Sequence, residues 1–111
     1  MKSLAHLMAM GRIGHVMTNS PTSINLVTRS TIERLKGIPI FFFSGADNAV
    51  YTPENTDVSY TILRDAHGAD GYEREVFPGR GHLDCWMGVT AHKDVYPRVL
   101  RHVDKIMKGI Q

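Results

Sequence analysis

Ile38-Pro39-Ile40-Phe41-Phe42-Phe43, closed by Ser44-Gly45, decides the fold class of this chain. The run is continuously apolar and rich in β formers, so a strand built from it is apolar on both faces. Such a strand suits a parallel sheet covered by helices on each side, not a half-exposed antiparallel one. Pro39 falls near the strand start, where a missing N–H is tolerated.

Toward the C-terminus, Thr52-Pro53-Glu54 reads as a helix start, with Thr52 as N-cap, Pro53 at the first helical position and an acid in the first turn. Val58, Ile62 and Ala66, joined by Leu63, give that helix an apolar face, and Gly68 ends it. Tyr72–Phe77 is a second strand, followed by a Pro78-Gly79-Arg80-Gly81 turn. A final helix is expected from Asp94 to about Lys108, with Pro97 in its first turn. Val95, Val99, Val103, Ile106 and Ile110 form its buried stripe. Arg98, Arg101, Lys105 and Lys108 lie opposite, as a solvated basic face needing no anionic partner. The alternation of strand and helix places residues 37–111 in the α/β class: two or three parallel strands with right-handed crossovers and C-terminal helices.

Residues 1–36 are a less determined lead-in. Leu4, Leu7, Met8 and Met10 suggest a short helix ended by Gly11. Met17–Ser30 reads as loop with an extended piece at Ile24–Val27, and a helical turn is expected near Thr31–Leu35.

Composition bounds the function. A length of 111 residues allows one small domain, and the net charge of +2 is too small to argue for nucleic acid or an acidic membrane. The single cysteine, Cys85, excludes an internal disulfide and a four-cysteine zinc site, and fits a cytoplasmic location. No run of about 18 apolar residues spans a membrane. The opening Met1-Lys2-Ser3-Leu4-Ala5 is interrupted by His6, lacks a cleavage frame and is read as no signal peptide.

In parallel sheets functional groups collect in the loops at the carboxyl ends of strands. Asp47, four residues past Phe43, sits in the first such loop, where a carboxylate can orient an imidazole. Taken alone it would more simply cap a turn. His82 follows Gly79-Arg80-Gly81 in the second loop, where two glycines let the backbone turn and present the ring as a general base.

The segment Ile38–Gly88 resembles the last two strand–loop units of the α/β-hydrolase fold. Ser44-Gly45-Ala46-Asp47-Asn48-Ala49-Val50 looks like the family's acid loop, with the acid at Asp47, and Gly81-His82-Leu83-Asp84 like its Gly-His-x-Asp histidine loop in lipase- and esterase-like members. Gly88–Pro97 further resembles hydrolase-like regions associated with relatives of cholesterol oxidase, in the glucose–methanol–choline flavoenzyme family. The resemblance covers roughly residues 25 to 108 and implies ester hydrolysis, with Asp47 and His82 as triad acid and base.

One member of that triad is missing. The family's nucleophile lies in Gly-x-Ser-x-Gly, upstream of acid and histidine, and Ser3, Ser20, Ser23, Ser30, Ser44 and Ser59 all lack that frame. The expectation is therefore a hydrolase C-terminal part, inactive alone. It would need a missing N-terminal portion, or would self-associate, and would meet a small ester only when completed. A non-catalytic remnant or interaction module, or an appendage of a flavin oxidoreductase, are the alternatives.

No cofactor is expected: Gly79-x-Gly81 lacks a third glycine and opens no helix after a first strand. His82, Asp84 and Cys85 crowd too closely to ligate one tetrahedral metal, so no metal is expected. Asp84 is better suited to holding its own loop, and Cys85, beside Trp86 and Met87, to packing. His6, His15, His67, His92 and His102 form no spacing motif and carry no assigned role.

Overall fold

The computed structural model describes residues 2–13, 16, 18 and 24–110. The chain forms two compact units, Met1–Lys36 and Gly37–Gln111.

The first unit holds α1 (Lys2–Ile13) and α2 (Arg29–Glu33). Gly11 does not end α1, which runs two residues past it; a glycine inside a helix is a cost of about 1 kcal/mol, not a stop. Leu4, Leu7 and Met8, the expected apolar face, are more than half exposed. The extended piece is a single bridge at Asn25, flanked by Thr18 N–H to the Ile24 carbonyl and Leu26 N–H to the Val16 carbonyl. The rest of the Met17–Ser30 loop reading, at 17 and 19–23, lies outside the described residues. Helix α2 starts earlier than the expected Thr31 because Thr28 and Thr31 form a reciprocal capping box that satisfies two otherwise orphaned N–H groups.

The second unit is a strand–helix–strand–helix unit: β1 (Ile40–Gly45), α3 (Glu54–His67), β2 (Tyr72–Phe77), the short α4 (Asp84–Met87) and α5 (Ala91–Ile110). β1 and β2 pair in parallel, from Ile40 opposite Tyr72 to Gly45 opposite Phe77. Among the described residues the sheet has these two strands only, the lower end of the two or three expected.

Side chains alternate across β1 as a two-sided strand requires. Phe42 meets Tyr60 edge-on and Ser44 bonds Thr56, both on α3. Phe41 stacks on His102 of α5 at 3.7 Å, and Phe43 packs against Trp86 of α4. Helices therefore cover both faces.

The helix faces differ from the expected ones. On α3 the sheet is met by Thr56, Tyr60, Leu63 and His67, while Val58 and Ala66 point to solvent. The reason is polar: Arg74 of β2 donates to the Thr56 hydroxyl and the Pro53 carbonyl, and His67 bonds the Tyr72 hydroxyl at 2.8 Å. Hydrogen bonding, not hydrophobicity alone, chose the face. The N-cap is Pro53 rather than Thr52, whereas Gly68 ends the helix as its position implies, with φ +88°.

Helix α5 begins at Ala91, a turn earlier than Asp94, because burial of Ala91 and Val95 (both 0% exposed) anchors its first turns. Pro97 consequently lies inside the helix and not in its first turn, where its missing N–H costs about 3 kcal/mol. Ala91, Val95, Val99, His102 and Ile106 face inward, and Val103 does not, being 47% exposed. The basic face is also not simply solvated. Arg98 pairs with Glu75, Lys105 with Glu73, and His102 meets both carboxylates through its two ring nitrogens. Partial burial alone would raise the Glu75 pKa, but the bonds from His102 and Arg98 hold it below the ordinary value.

The core of this unit is Phe77, Cys85, Ala91 and Val95, with Phe43 and Val99 packed on it. Phe77 and Val95 are the large side chains buried completely, each contributing about 1.5–3 kcal/mol. That core lies at the carboxyl end of the sheet, directly beneath the two loops of interest.

Candidate functional site

Parallel pairing in this register places both strand-following loops at one edge. Gly45 and Phe77 are opposite partners, so the acid loop and the histidine loop leave the sheet side by side. Two backbone bonds join them: Ala46 N–H to the Phe77 carbonyl and Asp47 N–H to the Arg80 carbonyl, each 2.9 Å. The approach is possible only because residue 45 is glycine. A Cβ there would sit 2.1 Å from the Arg80 carbonyl oxygen.

The histidine loop is held from three directions. Gly79 takes φ +69°, a conformation that suits glycine, and turns the chain out of β2. Asp84 accepts the Gly81 N–H at 2.7 Å, the local loop-holding role its position suggested. Arg80, 9% exposed, reaches under the loop to donate to the Thr90 hydroxyl at 2.8 Å and to Asp94 in the first turn of α5. Slight desolvation of Asp94 would raise its pKa, but the Arg80 bond and charge, with the N–H groups of Asp94 and Val95, hold it below the ordinary value. Gly88 completes the fit, since a Cβ there would lie 2.8 Å from an Arg80 nitrogen. Arg80 was legible in the sequence only as a turn residue. Its partners are 10 and 14 positions away, and no periodicity links them.

His82 emerges from this frame exposed, its ring 5.4 Å from that of Tyr51. The loops bring Asp47 near it in the backbone, but not as a bonded pair. The Asp47 side chain is exposed, and among the described residues no hydrogen bond joins its carboxylate to the His82 imidazole.

Beside His82 a cleft of ≈ 130 Å³ opens, lined by Asn48, Tyr51, Thr56, Cys85 and Trp86 together with the end of β1, and not by Asp47. Asn48 is 8% exposed. Its Oδ1 accepts the N–H groups of Val50 and Tyr51 at 3.0 and 2.9 Å, which closes the acid loop and fixes which amide atom faces which way. The Nδ2 donor has no protein partner among the described residues and is not sealed from solvent. Sequence reasoning passed over Asn48 because an exposed turn asparagine and a buried one look alike in one dimension.

Among the described residues no nucleophile is poised in this cleft. Ser44 is buried with its hydroxyl 3.3 Å from that of Thr56. Burial pushes the Cys85 thiol above its ordinary pKa; Arg80 opposes this, while Asp84 and Asp94 add to it. Among the described residues no group of three or more His, Cys, Asp or Glu side chains could hold a metal ion, and no helix is long and apolar enough to cross a membrane.

Comparisons with protein-family models, with curated proteins and with solved structures find no match to this chain.

Proposed function

We propose that the chain is the C-terminal part of an α/β-hydrolase, supplying the acid Asp47 and the base His82 for ester hydrolysis to a serine carried on other polypeptide. The observation that carries the reading is the joined pair of loops: an acid and an exposed histidine, after neighbouring parallel strands, at one sheet edge. In this reading His82 deprotonates the incoming serine, and Asp47 closes onto the imidazole when the site is completed and stabilises its charged form.

A second feature supports incompleteness. Tyr96, Leu100, Val103 and Met107 form an apolar stripe along α5 that is 40–60% exposed, in addition to the buried one. A helix apolar on two sides belongs in a larger core. Among the described residues each strand also has only one partner in the two-stranded sheet, and parallel sheets of this kind are normally wider.

The test begins with the transcript upstream of the Met1 codon. An in-frame Gly-x-Ser-x-Gly supports the reading, and a long open frame without one sinks it. In a polypeptide carrying that serine, His82→Ala should lower kcat on p-nitrophenyl butyrate by on the order of 10⁴–10⁶. The exposed, unbonded Asp47 favours a second reading, a non-catalytic remnant; there His82→Ala would leave ester turnover at the wild-type background.

A further inference from the structure

We propose that the cleft between Asn48 and His82 binds the carbonyl end-group of an uncharged small molecule, an ester or carboxamide, with Asn48 Nδ2 donating to the carbonyl oxygen. Binding of this kind needs neither nucleophile nor general base, so it stands or falls separately from the hydrolase reading.

Size sets the first limit. A volume of ≈ 130 Å³ holds an end-group of a few heavy atoms and is well below what a whole drug-sized ligand requires. Charge sets the second. No Asp, Glu, Lys or Arg side chain lines the cleft, so an ionic ligand would lose its hydration without meeting a counter-charge.

Polarity then selects the group. The Asn48 carbonyl oxygen is occupied by two loop N–H groups, so the residue can offer the cleft only its donor. A donor without a protein partner, on a side chain only 8% exposed, calls for an acceptor, and the walls say what the acceptor is attached to. Phe43 and Trp86 have their rings 5.1 Å apart, and Tyr51 and His82 theirs 5.4 Å apart. Four rings lining the same cleft as this donor suit a group with an oxygen acceptor and apolar flanks.

Trp86 is the only tryptophan in the chain; its ring lines the cleft and also the surface shared with Tyr96, Val99 and Leu100, so a fluorescence change is assigned to the cleft by its loss in Asn48→Asp. Titration of the full chain with acetamide should give a saturable change, and ethylammonium chloride, which has no acceptor, none. Asn48→Asp keeps an oxygen for the Val50 and Tyr51 N–H groups and exchanges the donor for an acceptor. Its acetamide midpoint should rise at least about tenfold, with the far-ultraviolet circular dichroism unchanged. A strictly linear, collisional response in the wild-type chain, or an Asn48→Asp titration matching wild type, overturns the proposal. If the variant does not fold, the wild-type Asn48 side-chain NH₂ resonances decide: they must shift with acetamide, and unmoved resonances overturn the proposal equally.

Discussion

Replacing Gly45 by alanine tests the joint on which the site depends. The new Cβ would lie 2.1 Å from the Arg80 carbonyl oxygen, 2.6 Å from its carbon and 2.8 Å from the Gly81 oxygen, all backbone atoms that cannot rotate away. Relief requires the two loops to separate by about 1 Å, which breaks the Ala46–Phe77 and Asp47–Arg80 bonds. Two backbone bonds at about 0.5–1.5 kcal/mol each, with an overpacking strain of about 1–3 kcal/mol, predict a loss of roughly 2–6 kcal/mol. Urea denaturation of the purified chain measures it, with amide exchange at Ala46 and Asp47 reporting whether the joint opened. Gly109→Ala is the matched control. Nothing lies within 4 Å of its added Cβ and it sits in α5, so the same methyl should stabilise by about 0.5–1 kcal/mol. A Gly45→Ala midpoint within about 0.5 kcal/mol of wild type, with both amides still protected, would refute the argument.

Arg80→Ala should destabilise by about 2–4 kcal/mol, because two hydrogen bonds under the histidine loop are lost, while half-exposed Asp94 can rehydrate; Arg80→Lys should recover part of this, and a neutral result in urea would contradict the tether. Asp94 and Glu75 both have folded pKa values below their ordinary 3.8 and 4.5. The stability each contributes is therefore present above those values and lost as pH falls through the lower folded ones. Asp94→Asn should flatten the acid limb of a stability–pH curve, and an unchanged limb would exclude the Arg80–Asp94 pair as its source. The exposed stripe on α5 should make the isolated chain self-associate, as sedimentation would detect, with Leu100→Lys shifting the population toward monomer; a wild-type monomer at all concentrations would argue against it.

Local patterns determined much of this protein. The apolar run at Ile40–Phe43 calls for cover on both faces, which favours a parallel strand flanked by helices. Gly68 stops its helix through backbone freedom alone, and the strand–helix–strand order places Asp47 and His82 in loops at the same sheet edge. These features depend on neighbours a few residues apart or on the topology of one crossover. Tertiary structure decided the rest because the deciding contacts are distant in sequence. Arg74 and Tyr72 turned the polar side of α3 toward the sheet against its apolar periodicity. The burial of Ala91 drew the start of α5 forward and left Pro97 inside it. Arg80, bonded to Thr90 and Asp94, became the anchor of the histidine loop. Asn48 was sequestered beside His82 while Asp47, one residue earlier, was left in solvent. Adjacent side chains in a turn can face opposite environments, and only the packing of the second loop against the first chooses between them.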